Sequence, residues 1–243
     1  MTTERLTLPS FDRYQADESN MVSRLALICT LAVVLYYPGA TAKNCCLPKQ
    51  WEGFQGGIGG VQTAQGGQAV QTVAKISFDA IGLRVYAYSN STTAAGMSST
   101  KLIQDYKTNT MYVIDVLKRT CQKTKTNLPF NDGCVPDQAK QVFDMTLGAG
   151  SETLQTRIYS MRLQQPSTLL DINLSVTEKQ CVPVGENWVG SVNKVKLVMS
   201  MGYFGITPGI KDPSVFNPPS FCKQNVTSND VFHPVLNYRI LNL

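Results

Sequence analysis

The sequence predicts an all-β fold of antiparallel strands, arranged as two sheets forming a curved half-barrel or sandwich, with few short helices. Three observations carry that prediction. Apolar residues recur with a period of two, as in a strand whose side chains alternate between faces. The runs are short and bounded by Gly, Pro, Ser and Asn, the residues that turns require. No stretch keeps a helical period for more than two turns, which argues against α/β and helical-bundle architectures.

The chain of 243 residues is 43% hydrophobic and 16% charged, enough apolar content for one large core. A leader pattern precedes the first strand: Arg24, an uncharged apolar run from Leu25 to Tyr37, a breaker at Pro38-Gly39 and small residues at Ala40, Thr41 and Ala42. That order reads as a secretory signal peptide cleaved after Ala42, with translation starting at Met21 or Met1. The apolar run of 13 residues falls short of the about 20 that cross a bilayer as a helix. The expected organisation is a leader over residues 1–42 and a single domain over 43–243, with no membrane span in the mature chain.

Trp51 opens a glycine-rich stretch, WEGFQGGIGGVQTAQGGQ, which reads as a loop or an irregular edge hairpin. It is no phosphate cradle, because Gln62 stands where the last glycine of G-x-G-x-x-G belongs and no strand precedes it. From Val70 the period becomes two: Val70, Thr72, Ala74, Ile76 and Phe78 share one face. Asp79 to Gly82 then turn the chain into the alternating run Leu83, Val85, Ala87. A second hairpin spans Lys101 to Val116, with a polar turn at KTNT. Further strands are expected near 141–147, 153–163, 169–177 and 192–203. The last segment, GIKDPSVFNPPSFC, holds Pro213, Pro218 and Pro219, which lack backbone donors and force extended neighbours. It is a stiff irregular arm ending in a thiol.

The mature chain keeps six cysteines, Cys45, Cys46, Cys121, Cys134, Cys181 and Cys222, an even number that in a secreted chain implies disulfides with 15 conceivable pairings. No C-x-x-C spacing occurs and His233 is the single histidine, which argues against zinc. Sequons at Asn90, Asn173 and Asn225 fit passage through a glycosylating compartment. There is no nucleophile elbow for His233 to serve, and nothing in the spacing of Asp79, Asp105, Asp115 and Asp144 selects a catalytic pair, so no enzyme is expected. An acid in a turn, such as Asp79, is placed for hydrogen bonds to the backbone. The basic cluster of Lys118, Arg119, Lys123 and Lys125 lacks interleaved aromatic residues, so it reads as a solvated loop and not a nucleic-acid site. No D-x-D-x-D-G loop is present, so the sequence identifies no calcium site and no required cofactor.

The arm reads G-I-K-D-P-S-V-F-x-P-P-S-x-C, a near-complete copy of the C-terminal block of the ependymin-related proteins, which the mature chain resembles. The match continues through C-x-P-x-x-W-E-G at Cys46 to Gly53, F-D-x-x-x-x-R-V at Phe78 to Val85, M-x-x-I-D-x-x-x-x-x-C at Met111 to Cys121, and C-x-P-V at Cys181 to Val184. The resemblance implies a secreted, glycosylated protein whose two antiparallel sheets form an apolar pocket, similar to bacterial lipoprotein carriers of the LolA type. It also implies a homodimer, association with calcium, and a link to the extracellular matrix or cell adhesion, with the lysosomal lumen as a second location. Among the cysteines it pairs Cys46 with Cys181 and Cys121 with Cys222, leaving Cys45 and Cys134 for one another. The vertebrate pattern has further cysteines near Thr100 and in the C-terminal tail; here they are absent, and Cys45 and Cys134 appear.

Strands such as MYVIDV, TRIYSM and VKLVMSMGYFGI are apolar or aromatic on both faces, as expected where one face packs a core and the other lines a cavity. Tyr86, Tyr112, Ile114, Ile158, Met199 and Tyr203 are the expected pocket walls, with the arm, through Val215, Phe216 and Phe221, as a rim or lid tied to Cys121. The function expected is that of a secreted binder of a hydrophobic small molecule or lipid. The alternative is a structural cell-matrix adhesion glycoprotein with no carrier role.

Overall fold

The computed structural model describes residues 45–64, 66–126 and 129–223. The leader expected over residues 1–42, the sequon at Asn225 and His233 lie outside the described residues. Eleven strands make one antiparallel sheet: β1 (Gln50–Thr63), β2 (Gly66–Asp79), β3 (Arg84–Thr93), β4 (Gly96–Asp105), β5 (Thr110–Asp115), β6 (Thr120–Lys125), β7 (Lys140–Ala149), β8 (Glu152–Gln165), β9 (Thr168–Thr177), β10 (Pro183–Val192) and β11 (Val195–Pro208). The spatial order is β6-β5-β4-β3-β2-β1-β11-β10-β9-β8-β7. Two meanders of consecutive hairpins are therefore joined through β1 and β11.

The fold is all-β, as the alternation predicts, with only two short 3-10 turns, Pro213–Phe216 and Ser220–Lys223, among the described helical segments. The two expected sheets are halves of one continuous sheet, and that sheet is strongly curved. Val85 on β3 and Leu174 on β9 line the same cavity although four strands lie between them. In a flat sheet five strand spacings would hold them about 24 Å apart.

The glycine-rich stretch is where sequence and structure differ most. It is neither a loop nor an edge but β1, paired along its length with β2 and β11 at the centre of the sheet. The cause is the side chains of β11, which lean across it. A Cβ at Gly59 would collide with Met199 Sδ and the Val198 carbonyl oxygen, and one at Gly57 would stand 2.6 Å from Met201 Cγ. These glycines yield their volume to neighbouring methionines.

The turns have legible chemistry. Asp79 is buried and its Oδ1 accepts hydrogen bonds from the Gly82 backbone N–H and from Gln50 Nε2, both at 2.8 Å, while Arg84 Nε donates to its Oδ2 at 2.8 Å. Burial alone would raise its pKa, but these three donors overcome it and hold the carboxyl below the ordinary range. Asp105 and Asp115 accept backbone bonds in the following two turns, and Asp144 faces Arg157. Between β10 and β11, Asn193 and Lys194 take φ of 49° and 68°, the left-handed pair that a two-residue hairpin requires.

A cavity roofed by a disulfide ribbon

The concave face carries the principal core. Trp51, Ile76, Phe78, Val85, Ala87 and Leu102 form one cluster on β1 to β4. Trp188, Met199, Met201, Ile172 and Tyr159 belong to a second, drawn mainly from β8 to β11 and joined by Val61 and Val70 of β1 and β2. Between them lies a cavity of about 60 Å³ for the centres of water molecules, lined chiefly by apolar side chains.

Its roof comes from two segments outside the strands. Val135 donates its backbone N–H to the Cys45 carbonyl and Leu47 donates to that of Gly133, both at 2.8 Å, so 45–47 and 133–135 form a short antiparallel ribbon. Gly133 takes φ +83°, and a Cβ there would stand 3.2 Å from Leu47 and 3.3 Å from the Phe78 ring. Glycine lets the ribbon lie flat on the aromatic floor. Phe130 adds to the cover, stacked on Phe78 with ring centroids 5.7 Å apart.

The disulfides fix this roof and correct the expected pairing. Cys46 joins Cys134 within the ribbon, and Cys45 joins Cys181 in the turn between β9 and β10. Cys46 with Cys181 and Cys45 with Cys134 are thus exchanged. In a paired ribbon, neighbouring residues point to opposite faces. Cys46 lies opposite Cys134 across the ribbon, and Cys45 turns toward Cys181, which takes a left-handed φ of 53° at its own turn.

Cys121 does join Cys222, so the proline-rich arm is fastened at its end. It covers the opposite, convex face of the sheet, however, and is neither rim nor lid of the cavity. Phe216 and Cys222 are buried there against Tyr86, Ile103, Ile114 and Cys121, with Val215 packed alongside. The Arg84 guanidinium lies over the Phe216 ring at 4.2 Å. Phe221 is exposed, with Arg119 over its ring at 5.7 Å.

Strand parity explains where the expected wall residues stand. Tyr203 lines the cavity. Met199 shares the concave face but belongs to the packed cluster around Trp188. Tyr86, Tyr112 and Ile114 face the arm, because Val85, Ala87 and Leu102, one residue out of step, take the concave side. Ile158 is likewise out of step with Tyr159 and Met161 and sits opposite Phe143 and Ser175. Asn90 and Asn173 are exposed in β3 and β9.

The polar group of the cavity escaped the sequence reading. Glu186 on β10 is 5% exposed and lines the cavity. Trp188 Nε1 donates to its Oε2 at 2.9 Å, Tyr203 Oη makes a short hydrogen bond to its Oε1, and Gln55 Nε2 donates to Tyr203 Oη at 2.9 Å. Burial pushes the Glu186 pKa up to about 7, against the opposing pull of the two donors. Among the described residues, no Lys, Arg or His lines the cavity to pair with it. Trp51, also in the lining and 3% exposed, has a buried Nε1–H with no hydrogen-bond partner among the described residues. The signal for Glu186 was present in the alternation of Glu186, Trp188 and Val192, but Pro183 and Gly185 masked the strand.

Among the described residues no three His, Cys, Asp or Glu side chains form a group that could hold a metal ion. Asp79, Asp132 and Asp171 are engaged by Arg84, Lys49 and Arg162. These residues do not compose a carboxylate-rich calcium site. No helix among them is long and apolar enough to cross a membrane.

The fold and site define a class: an all-β protein with an apolar cavity in the concave face of a curved sheet. The ependymin family model matches residues 94–222, and the chain belongs to that family. It is 27% identical over 204 residues to ependymin-related protein 1 of Haliotis asinina, covering 79% of this chain and 98% of that one. To mammalian ependymin-related protein 1 of Rattus norvegicus it is 28% identical over 187 residues, covering 76% and 79%. Among solved structures, an uncharacterized conserved protein from Thermus thermophilus aligns over 76% of this chain and 93% of its own, at 10% identity and a TM-score of 0.47. That likeness is too slight to carry an argument.

Proposed function

We propose that this chain is a secreted, glycosylated binder of a hydrophobic, lipid-like ligand and not an enzyme. The observation that supports this most is the apolar cavity itself, roofed by a ribbon that two disulfides fasten. A cavity of 60 Å³ for water centres is small beside the roughly 300 Å³ of a typical ligand pocket. Uptake of an acyl chain therefore requires the roof and Phe130 to part from the floor. The exposed Asn90 and Asn173 suit glycans on strands that carry no part of the cavity lining at those positions.

Native mass spectrometry of protein purified from its own source, together with titration by a fluorescent lipid, tests the proposal. Co-purified lipid, or binding tighter than millimolar, supports it. A protein that carries no lipid and binds none below about millimolar, equivalent to only about −4 kcal/mol, points instead to an adhesive matrix role.

A further inference from the structure

Two residues of the cavity lining carry polar groups that the apolar walls do not explain. Glu186 uses one interaction of each carboxyl oxygen on Trp188 and Tyr203, and a carboxylate has about four acceptor positions. It therefore retains capacity to accept a further donor. Trp51 brings a buried indole N–H with no partner among the described residues, and such a donor gains by meeting an acceptor. The groups facing Glu186 are Trp188 on its own strand, Tyr203 from β11, which Gln55 of β1 supports, and the apolar Leu174 and Met201 beside it. The ribbon contributes disulfide-bonded cysteines, and among the described residues no cationic side chain lines the space.

From this geometry we infer that the cavity selects single-chain amphiphiles whose head is uncharged and both donates and accepts a hydrogen bond, such as a fatty alcohol, fatty amide or monoacylglycerol, over free fatty-acid anions. The donor of the head meets Glu186 and its acceptor meets the Trp51 indole, while the chain takes the apolar walls. A carboxylate head brings no proton for Glu186 and places a second negative charge where no cation compensates the first. Like charges in a dry site cannot both remain ionised. Burial already raises the affinity of Glu186 for a proton, so the discrimination weakens as the pH falls.

This inference rests on the carrier reading, and the test separates the two. Dodecan-1-ol, dodecanoate and dodecyl methyl ether are titrated by calorimetry into the disulfide-intact chain at about pH 8 and about pH 5. Expected at pH 8 is dodecanol at least about tenfold tighter than dodecanoate, a factor that one lost charged hydrogen bond accounts for. The gap narrows at pH 5. E186Q narrows it at pH 8 by improving dodecanoate, and W51F weakens dodecanol and the ether severalfold. The conservative ring and the isosteric amide keep both variants foldable, which circular dichroism checks. If dodecanoate binds as tightly as dodecanol at pH 8 and E186Q changes neither, the head-group selection is overturned while the carrier reading stands. If none of the three probes binds, the carrier reading itself fails.

Discussion

Replacing Glu186 by Gln removes the one group whose ionisation the cavity opposes, and the effect on stability follows from linkage. The folded pKa of about 7 lies above the ordinary 4.5, so the folded state holds its proton over a range in which the unfolded chain has released it. Stability from this group is therefore present at low pH and is lost as pH rises through the folded pKa. At about 1.4 kcal/mol for each pKa unit, the loss between about pH 5 and pH 8 comes to about 2–3 kcal/mol. With a urea slope of about 2 kcal/mol per molar, the unfolding midpoint of the parent chain falls by roughly 1 M relative to the E186Q variant over that interval. Urea titrations followed by tryptophan fluorescence, without reductant, measure both chains at both pH values. Other groups titrate equally in the two, so their difference isolates Glu186. Parallel pH profiles for parent and variant would refute the argument, because they would mean that Glu186 is as well solvated in the folded chain as in the unfolded one.

Three further outcomes are expected. Cys222→Ser frees the arm from Cys121 and uncovers the convex apolar face; bound hydrophobic dye rises, and Phe216→Ala, at a site 6% exposed, lowers stability by about 3–5 kcal/mol in a melting experiment. Gly59→Ala, where the new methyl runs into the Val198 carbonyl oxygen, costs about 1–3 kcal/mol, whereas Gly60→Ala, with its nearest neighbour at 3.8 Å, melts near the parent temperature. Non-reducing peptide mapping yields Cys121 with Cys222 and a second cluster of Cys45-Cys46, Cys134 and Cys181; fragmentation between Cys45 and Cys46 assigns Cys45 to Cys181, and its assignment to Cys134 would contradict the ribbon geometry.

The hairpins were legible because local rules govern them. Alternation from Val70 to Phe78 and the Asp79 to Gly82 turn fix β2 and β3 with no help from distant residues. Strand β1 was not legible, since glycine has low strand propensity and the reason for it lies on β11, far along the chain. The same limit applies to the cavity. A period of two says that Tyr86 and Val85 face opposite ways, yet which of them meets the cavity depends on where the ribbon and the arm settle. Glu186 shows the limit in electrostatic form, for its raised pKa comes from burial by β9, β11 and the ribbon and not from its sequence neighbours.

Every hairpin of the sheet joins strands consecutive in the chain, and only the pairing of β1 with β11 spans it. During synthesis β1 emerges early, pairs with β2, and then presents one bare edge until β11 arrives. Its glycines leave few apolar side chains on that edge, which makes it a poor template for a foreign strand. The thiols also emerge in sequence. When Cys134 leaves the ribosome, Cys45 and Cys46 both stand ready for it, while Cys181 and Cys222 are still unmade. A bridge from Cys45 to Cys134 at that moment would leave Cys46 for Cys181 and point the ribbon the wrong way, and only disulfide exchange would then restore the pairing of the folded chain.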